Sequence, residues 1–321
     1  MKRNRLNFGI IGCGKIAVKR YIPVMVAHPD CVRLVAIQRR NKEKLEEIQQ
    51  QWNIPRAYER VEDLLKDPEV EAVVIASPPG LHKHHTLQAA QMKQIIIVEK
   101  PMAGSFSDAQ EMIEICSIKN VHLWIAYSFR FCKAIQQAIQ LINKGMIGQI
   151  YHLQGVFTVP VSPKDRSWLE KPELAGGGSI IDLGSHIIDI FRQIVTSSVE
   201  KVQKILRPEF STSQIEKEGL VQMLFSNGVT AQLFTSFSLP RHKSLTIYGS
   251  EGKIYVENFS EINQEVVIFL TSDNKTERIR IQNRNHFEDM LLTIVSGMES
   301  HLLCDGKDGL ETQRIIDWIY S

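Results

Sequence analysis

The stretch Leu6-Asn7-Phe8-Gly9-Ile10-Ile11-Gly12-Cys13-Gly14-Lys15-Ile16-Ala17 decides the fold. Leu6 to Ile11 is a short, largely apolar run of strand length. Gly12-x-Gly14-x-x-Ala17 follows without a gap and opens a helix expected to run to about His28. Gly12 permits the tight turn, Gly14 lets a ligand approach the backbone, and Ala17 keeps the helix close to the sheet. With a strand before it and a helix after it, the turn reads as a pyrophosphate cradle, the helix-start amides of Lys15 and Ile16 among its donors.

Working outward, strands are expected at Val32–Ile37, Glu71–Ala76, Ile95–Val98 and Val121–Tyr127. Helices are expected from Asn41 to Trp52, Val61 to Lys66, Leu81 to Met92, Ser107 to Lys119 and Phe131 to Lys144. Such alternation implies a parallel, doubly wound sheet with ligands at the strand C-termini. Three of those ends are polar or proline-rich: Ser77-Pro78-Pro79-Gly80-Leu81-His82, Glu99-Lys100-Pro101 and Tyr127-Ser128-Phe129-Arg130. The second strand ends in Gln38-Arg39-Arg40, where an acidic residue would normally hold a ribose. Arg39 and Arg40 suit a 2′-phosphate instead, which favours NADP over NAD.

After Gly148 the pattern changes to strands at Ile150–Val161, Val199–Leu206, Leu220–Phe225, Val229–Phe237, Ser244–Tyr248, Ile254–Glu257 and Glu265–Leu270. Helices from about Asn285 to Met298 and Leu310 to Tyr320 close the chain. This reads as an α+β unit with an open antiparallel sheet, giving two domains, 1–128 and 129–321, with the terminal helices able to pack back toward the first. An open sheet needs its second face covered, and self-association into a homodimer or homotetramer does so.

The 38 basic and 36 acidic residues nearly balance, and no basic block points to nucleic acid. No apolar run approaches the length of a membrane span, so no membrane partner is expected. Five cysteines without C-x-x-C spacing read as reduced thiols of a cytoplasmic protein.

The second decisive stretch is Gly176-Gly-Gly-Ser-Ile-Ile-Asp182-Leu-Gly-Ser-His186-Ile-Ile-Asp189. Its apolar recurrence suits a helix, on which Asp182, His186 and Asp189 form one stripe. Polar groups in so apolar a helix need partners or a function.

Gly12-x-Gly14-x-x-Ala17, Glu99-Lys100-Pro101, the Gly176–Asp189 stretch and Gly249-Ser-Glu-Gly252 stand in an order that resembles the Gfo/Idh/MocA oxidoreductases, across essentially the whole chain. The resemblance implies a Rossmann domain with NADP, or else NAD, a second domain whose sheet mediates oligomers, and a polyol- or sugar-like substrate. It also implies a cis bond before Pro101. By position Lys100, Asp182 and His186 match the catalytic trio, with His186 as proton acceptor, Asp182 as its partner and Lys100 at the substrate oxygen. Gly12, Gly14, Lys15, Ile16, Ala17, Arg39, Arg40, Ser77, Pro78, His82, Glu99 and Lys100 are the expected cofactor contacts. His84 and His85 are assigned to solvent and no metal is expected. The family's Trp-Arg pair is Trp168-Leu169 here, which puts that arginine's contact in doubt. A dinucleotide-sensing regulator and an NAD-dependent redox glycosidase are the alternative readings on this fold.

Overall fold

The computed structural model describes residues 5–162, 166–211, 213–273 and 275–321. The chain divides into two compact units. One runs through Tyr127 and adds Phe287–Gln313; the other holds Ser128–His286 and Arg314–Ser321.

The first unit carries β1 (Leu6–Ile11), α1 (Ile22–Ala27), β2 (Val32–Gln38), α2 (Lys42–Trp52), β3 (Arg56–Tyr58), α3 (Val61–Lys66), β4 (Ala72–Ile75), α4 (His82–Ala89), β5 (Ile95–Val98), α5 (Phe106–Ile118) and β6 (His122–Ile125). The sheet order is β6-β5-β4-β1-β2-β3, all parallel. The crossover from β3 back to β4 therefore lies at β1, the switch point where such sheets bind ligands. β1, β4 and β5 are almost wholly buried, as strands covered on both faces must be. Asn41 Oδ1 accepts from Lys44 N at 2.8 Å, so α2 starts at the expected cap. The helix after the glycine turn is not uniform: Ala17–Tyr21 is a π-helical stretch before α1.

The second unit carries α6 (Lys133–Asn143), β7 (Ile150–Thr158), α7 (Pro172–Ala175), α8 (Ser185–Val195), β8 (Val199–Arg207), β9 (Glu218–Phe225), β10 (Thr230–Ser236), β11 (His242–Gly249), β12 (Gly252–Glu257), β13 (Glu265–Ser272) and β14 (Lys275–Gln282). Its sheet runs β14-β13-β12-β11-β7-β10-β9-β8. The sheet is mostly antiparallel, as expected, with one parallel pair, β7 and β10. The chain leaves β7 through α8 and the β8–β9 hairpin before β10 returns beside it, a crossover that fixes the parallel direction. α6 packs on β13 and β14, and α8 on β7 and β10.

The chain closes with α9 (His286–Ser296), β15 (Cys304–Asp305) and α10 (Gly306–Tyr320). β15 adds an antiparallel edge to β6, an element the sequence pattern did not announce.

Candidate active site

The first unit supplies the glycine turn. Gly12 has φ +75°, and a Cβ there would stand 2.6 Å from the Cα of Ser77. Only glycine fits both the angle and the space. Gly14 has one neighbour in that direction, the Gly12 carbonyl oxygen at 3.6 Å, so its backbone stays open to a ligand. Ala17 is fully buried, while Lys15 is exposed and Ile16 half-buried.

The end of β2 holds this turn from below. Gly12 N donates to Gln38 Oε1 at 3.0 Å, and Cys13 N to the Gln38 carbonyl at 2.8 Å. Gln38, where the acidic residue was sought, is a buried strut whose amide nitrogen also donates to the Glu59 carbonyl at 2.8 Å. The half-buried Arg39 donates to the Cys13 carbonyl at 2.7 Å, whereas Arg40 is exposed. Burial pushes the Cys13 thiol up to about 12, so it stays neutral within the turn. An open Gly14, a turn without room for side chains and a guanidinium laid against it fit a dinucleotide.

The strand ends after β4 and β5 are joined by buried side chains. Ser77 Oγ lies 2.9 Å from His85 Nδ1. The assignment of His85 to solvent is thereby corrected: it is buried, and burial lowers its pKa to about 4. His84 is exposed as expected, and Pro78 half-buried. His82 is fully buried, its nitrogens 2.8 Å from the Ser77 carbonyl and 2.9 Å from the Pro101 carbonyl. Wholly enclosed, it stands between the two loops that carry Ser77 and Lys100. Lys100–Pro101 is cis, and Lys100 is half-buried. Glu99 accepts from the Tyr21 hydroxyl at 2.7 Å and from Lys100 N at 3.2 Å. Tyr21, from the π-helical stretch, was missed by the sequence reading. Its phenol is pushed well above the usual range by burial and by Glu99.

In the second unit the three glycines have separate tasks. Gly176, at φ +71°, ends α7. A side chain on Gly177 would strike the Tyr320 hydroxyl, and one on Gly178 the Glu216 carbonyl oxygen. That close passage lets the fully buried Glu216 carboxylate accept from Gly178 N, Ile180 N and Tyr320 OH, each at 2.8 Å. Burial raises the Glu216 pKa while these bonds pull it back. The amides at the start of the helical run are thus satisfied by one acid.

The run begins with a π-helical stretch, Ile180–Gly184, that holds Asp182, and continues as α8. Asp182 pairs with the Arg166 guanidinium. Asp189 is buried and takes Arg130 Nε at 2.8 Å and Nη2 at 2.5 Å. The two acids of the expected stripe therefore each have a guanidinium partner that the sequence reading did not name. His186 is 8% exposed, and its ring lies on Phe129 with centroids 4.1 Å and planes 17° apart. Lys243, buried and bonded to Ser260 and Glu261, stands 5.5 Å from the same Phe129 ring. Burial lowers the Lys243 pKa. The half-buried Trp168 lies two residues after Arg166 and is followed by the buried Leu169.

Among the described residues no cluster of three or more His, Cys, Asp or Glu could hold a metal ion. Among them, too, no helix is long and apolar enough to cross a membrane.

Comparison with known proteins finds two family matches. The GFO_IDH_MocA model, an oxidoreductase family with an NAD-binding Rossmann fold, matches residues 6–127. The GFO/IDH/MocA C-terminal domain model matches residues 135–255. A D-xylose 1-dehydrogenase [NADP(+)] of Haloarcula marismortui is 25% identical over 330 residues, covering 99% of this chain and 91% of the relative. The structure of an aldose-aldose oxidoreductase from Caulobacter crescentus, complexed with glycerol, superposes with TM-score 0.86 at 26% identity, covering 98% and 96% of the two chains. A 3-ketoreductase from Actinomadura kijaniata, in complex with NADP and TDP-benzene, superposes with TM-score 0.89 at 20% identity, covering 98% and 97%.

Proposed function

This chain belongs to the GFO/IDH/MocA family of NAD(P)-dependent oxidoreductases acting on CH–OH groups, and from that premise we propose that it interconverts a secondary hydroxyl and a carbonyl on a sugar, sugar acid or cyclitol, preferring NADP(H). The observation that carries this reading is His186: a nearly enclosed imidazole, set flat on Phe129, one turn after an acid paired with a guanidinium. Bound at the glycine turn, the nicotinamide cofactor supplies the hydride acceptor or donor. His186 takes the hydroxyl proton during oxidation and returns it during reduction. Asp182 keeps a negative charge on the helix that bears the imidazolium, and the Arg166 pair fixes its carboxylate. Lys100 offers a cation to the substrate oxygen. Arg39, anchored on the Cys13 carbonyl, receives a 2′-phosphate.

The test is a panel of D-xylose, other aldoses, aldonic acids and cyclitols with NADP⁺ or NAD⁺, followed at the reduced-nicotinamide absorbance. Turnover of one panel member with NADP⁺ is expected. Activity on none, in either direction, would overturn the reading.

We further propose that the protein is a homo-oligomer and cytoplasmic. The face of the second sheet opposite α8 carries Ile205, Leu220, Phe234, Tyr255 and Phe269 on neighbouring strands, with Ile205 60% exposed. A second copy covering that row removes it from water. Sedimentation at micromolar concentration should give at least a dimer mass. The five cysteines are all free thiols, which suits a reducing compartment.

A further inference from the structure

We propose that His82 is a positioning residue that ties the loop bearing Ser77 to the loop bearing Lys100, so that one imidazole sets both the floor of the glycine turn and the placement of the lysine. The inference rests on the reading of Lys100 as a functional group. Its basis is geometric. His82 opens α4 and has no exposed surface. Nε2 lies 2.8 Å from the Ser77 carbonyl, and Nδ1 lies 2.9 Å from the Pro101 carbonyl. Ser77 in turn packs against Gly12, where a Cβ would come within 2.6 Å of it. Pro101 directly follows Lys100, whose own amide donates to Glu99.

Both partners of the ring are carbonyl oxygens, which only accept. A neutral imidazole has one ring proton and donates to one of the two carbonyls, its tautomer choosing which, whereas the protonated ring donates to both loops at once. Burial pushes the pKa of this imidazole down; the backbone groups of Ser77, Pro101 and Met102 pull it up, and the Lys100 charge adds to the lowering. His85, one turn along α4, is the other titratable ring facing this region. It holds Ser77 by the hydroxyl while His82 holds it by the carbonyl.

The two nitrogens can be separated by substitution, because an Asn amide nitrogen falls near the place of Nδ1 and a Gln amide nitrogen near that of Nε2. His82→Asn keeps the Pro101 arm, His82→Gln keeps the Ser77 arm, and His82→Leu keeps neither. Two substrate-free readouts apply to the full chain: NADPH affinity by fluorescence, and amide exchange of segments 77–81 and 100–104 by mass spectrometry. His82→Asn should weaken NADPH about tenfold and speed exchange at 77–81 while 100–104 stays protected. His82→Gln should keep NADPH binding within about twofold and speed exchange at 100–104 by roughly tenfold. With a substrate from the panel, His82→Gln should lower kcat more than KM.

Parallel changes in both segments for Asn and Gln alike would overturn the proposal, as would no change in either. Uniform loosening of the whole first unit would make His82 an ordinary core residue and would overturn it equally. Lys100→Ala, measured beside them, separates the two readings. Full turnover in Lys100→Ala removes the lysine's role, while the opposite responses of the two segments still report the tie between the loops.

Discussion

The ring of Phe129 lies flat against that of His186, centroids 4.1 Å and planes 17° apart. An imidazole on a helix can rotate about two bonds, and the stack removes much of that freedom. Phe129→Leu keeps the apolar volume but loses the flat surface. Stacked aromatic pairs are worth about 0.5–1.5 kcal/mol, so turnover should fall about two- to tenfold with NADPH affinity unchanged. An unchanged kcat in this variant would show that the ring does not orient the base.

His186 itself should matter far more. Removing a positioned acid–base group costs about two to four powers of ten. His186→Ala should show that loss in kcat on the panel substrate while binding NADPH as the parent does. Near-parental turnover would return His186 to a packing role.

The arginines after β2 should not be equivalent. Arg39 is half-buried and anchored at 2.7 Å on the Cys13 carbonyl, inside the turn, whereas Arg40 is exposed. An anchored guanidinium gives up less freedom on meeting a phosphate. A charge-assisted bond is worth about 1.5–3 kcal/mol, so Arg39→Ala should weaken NADPH by about tenfold or more with little effect on NADH. Arg40→Ala should cost only a few-fold, since its charge is screened by solvent. Dissociation constants for both cofactors in both variants decide this.

What could be read from the chain, and what could not, follows the range of the interactions. The strand, the turn and the helix around Gly12 are written in consecutive residues, and so was the Asn41 cap. The Arg130–Asp189 pair joins residues 59 apart, and Glu216 binds an amide 38 residues away. Neither spacing is periodic, so no local pattern announces it. The triple glycine was recognisable, but its reason, the passage between Tyr320 and Glu216, needed the fold. β14 was missed because Lys275-Thr-Glu-Arg-Ile-Arg-Ile-Gln282 is highly charged, as edge strands often are. Consecutive histidines on a helix point apart, so His84 and His85 cannot share one environment, and only the fold shows that His85 is the one buried beside Ser77 while His84 meets solvent.

That buried histidine gives the protein a defined acid sensitivity. Burial lowers the pKa of His85 from the reference 6.5 to about 4. The folded protein therefore favours the neutral ring, and the unfolded chain binds the proton more readily. The resulting stability is fully present above 6.5 and is lost as the pH falls toward 4. Between about pH 7.5 and about pH 5 the loss should be about 2 kcal/mol. His85→Asn keeps a polar group beside Ser77 but does not titrate. Urea unfolding at both pH values should show a smaller acid loss in this variant than in the parent, and equal losses would sink the assignment.

The clamp at the start of the helical run gives the last prediction. Glu216 accepts from Gly178 N, Ile180 N and Tyr320 OH, so the residue before the chain's last is bonded to the run that leads into His186. Tyr320→Phe removes one donor to a buried carboxylate whose pKa burial already raises. A hydrogen bond to a charged group is worth about 1.5–3 kcal/mol, and the loss should appear as lower stability. The Glu216 carboxylate would keep its two amide donors, so the variant should fold and its NADPH affinity should hold. Gly178→Ala is the harsher test, because its methyl meets main chain at the Glu216 carbonyl rather than a side chain that can turn away. The helix start must then shift, carrying Asp182 and His186 with it. Gly178→Ala should lose more turnover than Tyr320→Phe at equal cofactor saturation. If both variants lost stability but kept full turnover, the clamp would hold the fold without setting the site.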